Sequence, residues 1–146
     1  MLKTFEDLTP DLKEEDENLA REIAVGLNKL VGKDKAVSNK RIRQIYWNKY
    51  RTRIGDIRMR KMIQFIRIHN LAPRLCSNSN GYYIAETDQE WEDWKISMGQ
   101  RIRQMIFTMV SAMAANDKDE ATQKLIDQLC ELMTTIKYFG PVEETL

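Results

Sequence analysis

The sequence predicts a mainly α-helical fold with a small β component, in which three helices and a β-hairpin precede two C-terminal helices. Apolar residues recur at steps of three and four along most of the chain, which is the period of an amphipathic helix. Only three prolines and six glycines interrupt the 146 residues, and this is typical of a helical chain with few turns. One turn-rich segment, residues 76–81, is followed by the short β-prone run 82–85, so we expect a hairpin there.

The first helix is predicted over residues 19–31. Its apolar residues lie on one face at steps of four, four and three: Leu19, Ile23, Leu27 and Leu30. Either Asp16 or Asn18 is a suitable N-cap, and Gly32 is placed to end the helix as its C′ residue. Residues 1–15 show no clear period, so we expect a loose arm before the helix.

A second, shorter helix is predicted over residues 39–46. Ser38 is a good N-cap, and Ile42 and Ile45 are expected to face the core. The segment that follows, residues 47–53, is predicted to be a turn that leads into the third helix.

The third helix has the stronger pattern and is predicted over residues 55–70. Its buried stripe consists of Met59, Met62, Ile63 and Ile66, which are spaced at the helical period. The remaining faces carry Arg58, Arg60, Lys61 and Gln64. The third helix therefore presents polar side chains to solvent or to a ligand.

The hairpin is predicted from the residues that follow the third helix. Residues 71–76 suit an edge strand, because Pro73 is tolerated there, and residues 77–81 have the composition of a turn. Gly81 stands where the chain reverses, so we expect a positive φ at this residue. One of Tyr82 and Tyr83 is expected to pack in the core while the other faces outward, and the pattern leaves open which.

Two C-terminal helices are predicted over residues 88–114 and 120–138. Thr87 or Asp88 caps the first of them, and its apolar stripe continues well beyond Ile102, where the N-terminal domain can no longer cover it. We therefore expect a homodimer surface formed by Met105, Met109, Met113, Leu125, Leu129 and Met133. The alternative is a helical hairpin that packs on its own N-terminal domain in a monomer.

The charges are strongly segregated along the chain. From residue 40 to residue 74 there are eleven Lys and Arg residues against a single acid, Asp56, whereas the whole chain has a net charge of only +1. The stretches on both sides, residues 1–34 and 75–146, carry net negative charge. Positive charge concentrated in this way is typical of a surface that binds phosphate.

The order helix, short strand, helix, turn, helix and hairpin is that of a winged helix-turn-helix, whose third helix enters the DNA major groove. The wing sequence SNSNGYYIAET and the helix end MIQFIR resemble those of phage and prophage winged-helix proteins, over about residues 18–110. This resemblance implies a DNA-binding protein of a phage or mobile element that acts in replication or transcription control. The chain departs from the family pattern in its Arg-rich third helix and its added C-terminal helix.

The leading interpretation is a non-enzymatic protein that binds double-stranded DNA. Arg58 and Lys61 are expected to contact bases, and Lys49, Arg51 and Arg53 are expected to contact phosphates. The full predicted DNA-binding set is Lys40, Arg41, Arg43, Lys49, Arg51, Arg53, Arg58, Arg60, Lys61, Gln64, Asn78 and Asn80. The alternative is an adaptor or inhibitor that uses the same scaffold to bind a host or phage protein.

The sequence contains no recognisable catalytic or cofactor-binding motif. His69 is the only histidine, and Cys76 and Cys130 fit no metal-binding spacing, so we expect reduced thiols, no metal and no cofactor. No apolar run approaches the roughly 18 residues of a membrane span, and the first residues lack a signal-peptide pattern. With the resemblance, these features predict a cytoplasmic protein of a bacterial host cell with no membrane partner.

The predicted organisation has four parts. Residues 1–17 form an acidic N-terminal arm, and residues 18–86 form the winged helix-turn-helix domain. Residues 87–139 form the two C-terminal helices that serve oligomerisation, and residues 140–146 form an acidic tail.

Overall fold

The computed structural model describes residues 12–135, so the tail at 140–146 and most of the predicted arm lie outside the described residues. The chain divides into two compact units, residues 1–91 and 92–146, with the boundary inside the fourth α-helix. In chain order the described elements are α1 (Glu14–Leu27), a short 3-10 helix (Lys33–Lys35), α2 (Asn39–Tyr50), α3 (Asp56–Ile68), β1 (Leu75–Asn78), β2 (Gly81–Ile84), α4 (Asp88–Asn116) and α5 (Glu120–Thr135). The predicted class, mainly α with a small β component, is confirmed.

Helix α1 begins and ends earlier than the sequence predicted. It spans Glu14–Leu27 rather than 19–31, and its first turn holds four acidic residues, which are favourable at the positive N-terminal end of a helix. The predicted caps, Asp16 and Asn18, both lie inside the helix, and Lys13 occupies the N-cap position without a side-chain hydrogen bond.

Two parts of the segment after α1, around Val31 and Val37, pair with β2. The Ile84 N–H donates to the Leu30 carbonyl at 2.8 Å, and the Gly32 N–H donates to the Ile84 carbonyl at 2.8 Å. Val37 and Tyr82 pair in the antiparallel sense through two further backbone hydrogen bonds, of 3.0 and 2.9 Å. Gly32 is therefore not the C′ residue of α1, because this pairing holds its backbone beside β2.

Helix α2 begins as predicted but runs further. Ser38 is its cap, since the Ser38 Oγ accepts a backbone N–H of the first turn at 3.1 Å. The helix continues to Tyr50, so the prediction of a turn over 47–53 is wrong for the first part of that segment. Arg51 ends the helix in the left-handed conformation, with φ 55°, and its N–H donates to the Trp47 carbonyl at 2.8 Å.

Helix α3 forms the centre of the hydrophobic core of the first unit. Its bounds, Asp56–Ile68, are close to the prediction, and all four residues of the predicted stripe are buried together with Phe65. Both α1 and α2 pack against α3. Ile45 was expected to face this core but is exposed, because Tyr46, one turn after Ile42, fills the inner face of α2 instead.

The predicted hairpin is present, but its first strand is shorter and begins and ends later than predicted, so that Ser77 and Asn78 lie in the strand and not in the turn. Strands Leu75–Asn78 and Gly81–Ile84 pair in an antiparallel sheet, and a two-residue turn joins them. Residues 71–74 form a turn rather than the predicted strand, and Arg74 is left-handed there, with φ 58°.

The second strand shows the backbone conformation of Gly81 and which of its two tyrosines is buried. Gly81 has the predicted positive φ, 126°. Tyr83 packs in the interior and is only 6% exposed, whereas Tyr82 is half-buried. Tyr82 is therefore the more outward-facing of the two tyrosines.

The two C-terminal helices have nearly the predicted bounds. Helix α4 spans Asp88–Asn116, and Thr87 is its cap, because the Thr87 Oγ1 accepts the Glu90 N–H at 3.1 Å. Helix α5 spans Glu120–Thr135, and the predicted residues 136–138 lie outside the described part of the chain.

Candidate nucleic-acid interface

The predicted base-contacting residue Arg58 is held inside the fold by an acid. Its Nε donates to the Asp16 Oδ1 at 2.8 Å, and its Nη2 donates to the same oxygen. The Nη1 donates in addition to the Arg53 carbonyl at 3.3 Å. The side chains of Arg58 and Asp16 are 35% and 14% exposed, so the pair is partly shielded from water and joins the start of α3 to α1.

Lys49, a predicted phosphate contact, is exposed but pairs with an acid of α1. Its Nζ donates to the Glu22 Oε1 at 2.5 Å, and the Tyr50 hydroxyl donates to the same oxygen at 2.6 Å. The hydrogen bonds from Lys49 and Tyr50 lower the pKa of the Glu22 carboxyl, and the bond to Glu22 raises the pKa of Lys49. Lys49 is thus directed towards α1.

The outer face of α3 carries four exposed side chains at the spacing i, i+3, i+4, i+7: Ile57, Arg60, Lys61 and Gln64. Arg60 pairs with Asp56 at 3.0 Å across one turn, and both side chains are open to solvent, so this pair holds Arg60 only weakly. Lys61 and Gln64 have no side-chain partner among residues 12–135. This face therefore offers an arginine, a lysine and an amide to an external ligand.

Helix α2 and the loop after it add further exposed cations. Lys40 and Arg53 contact no carboxylate of the described chain. Arg41 is exposed and its Nη1 donates to the Gln44 Oε1 at 3.3 Å, whereas Arg43 is half-buried and its Nε donates to the Asn39 Oδ1 at 2.7 Å.

The Arg51 side chain contacts an aromatic ring and no acid of residues 12–135. Its guanidinium carbon lies 5.8 Å from the ring centroid of Trp47, and both side chains are exposed. A cation over an aromatic face at this distance is attracted to the ring but keeps its charge available. We name the basic surface by its exposed members: Lys40, Arg41, Arg51, Arg53, Arg60, Lys61 and Gln64.

The hairpin presents its two predicted asparagines at its exposed turn. The Asn78 Oδ1 accepts the Asn80 N–H at 2.8 Å, so Asn78 shapes the turn. Arg67, which is outside the predicted set, braces the hairpin against α3: its Nε donates to the Leu75 carbonyl at 3.4 Å and its Nη2 to the Ser77 Oγ at 3.3 Å.

Two candidate residues of this region were not predicted from the sequence. Ile57 was not singled out, although its position outside the Met59 and Ile63 stripe places it on the outer face of α3. Trp47 was assigned to a turn, and only the continuation of α2 through that residue brings it beneath the Arg51 guanidinium.

The second unit exposes part of its predicted apolar surface. Met105 is 72% exposed, and Met109 is exposed as well, whereas Met113 is half-buried. Of the predicted residues on α5, Leu125 is exposed, while Leu129 and Met133 are half-buried. The predicted dimer surface is thus open to solvent mainly around its α4 half.

The described residues contain two thiols, and they form neither a metal cluster nor a membrane-spanning helix. No three His, Cys, Asp or Glu side chains between residues 12 and 135 come together as a metal site. Cys76 and Cys130 are free, and burial raises the pKa of the Cys76 thiol to about 11. Over the same residues, no helix combines the length and apolar character that a bilayer crossing requires.

Comparison with known proteins gives no relative for this chain: no family model, curated protein or solved structure matches it.

Proposed function

We propose that the first unit is a winged helix-turn-helix that binds double-stranded DNA without enzymatic activity, in the replication or transcription control of a phage or mobile element. The order of elements supports the fold. Helices α2 and α3 are joined by the short loop 51–55, and the hairpin follows α3. Two isolated bridges, Val31 with Ile84 in the parallel sense and Val37 with Tyr82 in the antiparallel sense, bring the chain between α1 and α2 beside β2 and support this arrangement.

The observation that carries the proposal is a set of exposed cations without acidic partners. Lys40, Arg53 and Lys61 lie on α2, on the loop and on α3, and none of them contacts a carboxylate within residues 12–135. Ordinary protein surfaces intersperse charges of both signs. Unpaired cations on successive elements favour a ligand with regularly spaced negative charges, and the DNA backbone is such a ligand.

The geometry suggests a division of roles across the basic surface. The outer face of α3 would enter the major groove, where Arg60 and Lys61 suit guanine and Gln64 suits adenine. Lys40, Arg51 and Arg53 would contact phosphates on its flanks. Asn78 and Asn80 at the hairpin turn would lie along the adjacent backbone. Because Arg58 and Lys49 are engaged by acids of α1, we give them supporting roles instead of the base and phosphate contacts first expected.

The test is a matched pair of charge-neutralised proteins. A variant with Lys40, Arg53 and Lys61 replaced by Gln should bind duplex DNA more weakly than wild type, with a salt slope smaller by about 1.8, since Lys40 and Arg53 are the proposed phosphate contacts and each contributes about 0.9. The control replaces three exposed lysines outside the basic surface, Lys29, Lys118 and Lys124, and changes the net charge equally. Equal losses in the two variants would argue against a defined basic surface.

The second unit favours a protein contact in addition. Its exposed apolar side chains, with Met105 and Met109 at their centre, are of the kind that self-association buries. We propose a homodimer through α4 and α5, which would present two α3 helices to a pseudo-palindromic site. A host or phage protein on the same face is the alternative, and in that case the isolated protein would sediment as a monomer.

A further inference from the structure

The outer face of α3 contains one apolar side chain among its polar ones. Ile57 is 73% exposed, and it is the second residue of the helix. Its neighbours one turn onward are the cations Arg60 and Lys61, and Gln64 lies one turn beyond. Ile57 therefore does not belong to the buried stripe of α3, which lies on the opposite face.

Neither the stability of the helix nor an apolar protein partner accounts for this side chain. Isoleucine is a weaker helix former than alanine or leucine, and an exposed isoleucine gains nothing from burial. Protein-docking surfaces are contiguous apolar patches, whereas the nearest positions on this face, Arg60 and Lys61, are charged.

On the basis of the proposed function, we infer that Ile57 recognises the 5-methyl group of a thymine in the major groove. The thymine methyl is the apolar group that base pairs display there, and aliphatic side chains read it by contact. The N-terminal residues of a recognition helix are those that meet base edges, and Ile57 holds such a position. With Arg60 and Gln64 suited to guanine and adenine, the face matches a site of mixed composition that contains thymine.

A thymine methyl contact also predicts that the protein binds a DNA duplex in preference to an RNA duplex. Uracil lacks the methyl group, and the major groove of an A-form duplex is too deep and narrow for side chains to read. The protein should therefore favour a thymine-containing B-form duplex over the RNA duplex of the same sequence.

The experiment removes the contacting apolar group from the DNA and, separately, from the protein. Duplexes are first selected by the full-length wild-type protein from a random pool, and each thymine of a selected duplex is then replaced by deoxyuridine, which removes only the methyl group. At one or two positions, the replacement should weaken wild-type binding about fourfold, the effect of one buried methyl group. Ile57→Ala should bind the thymine duplex about fourfold more weakly and should no longer respond at one of those positions.

A matched control and a fold check separate the possible outcomes. Val25, an exposed aliphatic residue of α1, is replaced by alanine as the control, and Val25→Ala should keep the full deoxyuridine response. Unchanged circular dichroism melting curves would show that both variants are folded. If Ile57→Ala responds to deoxyuridine as wild type does, or if no position responds in wild type, the inference is wrong while DNA binding stands. If wild type binds no duplex at all, the proposed function fails and the inference fails with it.

Discussion

Gly81 lies against the backbone of Val37, so closely that a Cβ added to Gly81 would stand 2.1 Å from the Val37 carbonyl oxygen. The same two segments are joined by the paired hydrogen bonds between Val37 and Tyr82. The base of the hairpin is thus fixed directly to the residue that precedes the cap of α2. A glycine is required here for two reasons, the close approach and the φ of 126°.

Gly81→Val should therefore be strongly destabilising. We expect a loss of about 2 kcal/mol or more in the free energy of unfolding, because both the backbone conformation and the contact with Val37 must change. Urea denaturation measures the loss.

The control for this prediction is Gly26→Ala. Nothing lies within 4 Å of a Cβ at Gly26, and the residue is helical, so alanine should stabilise the protein by about 0.5–1 kcal/mol. If Gly81→Val unfolded at the urea concentration of wild type, the described contact between the hairpin and Val37 would be wrong.

Arg51→Gly should raise stability and lower DNA affinity together. Glycine adopts the left-handed φ of this C-cap position with less strain, so the free energy of unfolding should increase by up to about 1 kcal/mol. Loss of one phosphate contact should reduce the salt slope by about 0.9. Calorimetry and a binding titration measure the two effects separately.

Arg74→Gly is the matched control for Arg51, because Arg74 is also left-handed but pairs with Asp88 outside the basic surface. This variant should bind DNA as wild type does. If Arg51→Gly and Arg74→Gly bound DNA with equal affinity, Arg51 would not be a DNA contact.

Arg58→Ala and Asp16→Ala should be coupled in their effects on folding. Each single change leaves a partly shielded charge without its partner, so each should cost on the order of 1–3 kcal/mol of unfolding free energy. The double variant should cost less than the sum of the two. Additive effects would show that this pair does not hold α3 to α1.

The homodimer prediction rests on the exposed part of α4. Wild type should sediment at twice 17.2 kDa at tens of micromolar, and Met105→Glu should return it to a mass of 17.2 kDa, because the charge would lie in the buried interface. Gln104→Glu adds the same charge at an exposed neighbouring position and should leave the dimer intact. A wild-type mass of 17.2 kDa would exclude the dimer.

Local features of the fold were predictable from sequence where one short-range principle acts. The stripe Met59, Met62, Ile63 and Ile66 follows from the helical period, the Ser38 cap from side-chain chemistry, and the φ of Gly81 from turn composition. The end of α1 was not predictable in the same way. It depends on pairing between Leu30, Gly32 and the distant Ile84, and no local pattern indicates that pairing.

The roles of individual basic residues depend on contacts between distant parts of the chain. Arg58 and Lys61 look alike in sequence, yet Arg58 meets Asp16, 42 positions away, while Lys61 remains open to solvent. Lys49 is likewise engaged by Glu22, 27 positions away. Charge density along the sequence therefore located the basic region, but the structure was needed to separate the basic residues that pair with acids of α1 from those that do not.

The most direct test of DNA binding is the salt dependence of the affinity for a duplex. Fluorescence anisotropy with a labelled mixed-sequence duplex, at a series of salt concentrations, gives the slope of log K against log salt. With Lys40, Arg51 and Arg53 on phosphates, we predict a slope of about −2.7 for each bound protein chain. A slope near zero, or no binding at low salt, would contradict the proposal that the basic surface binds DNA.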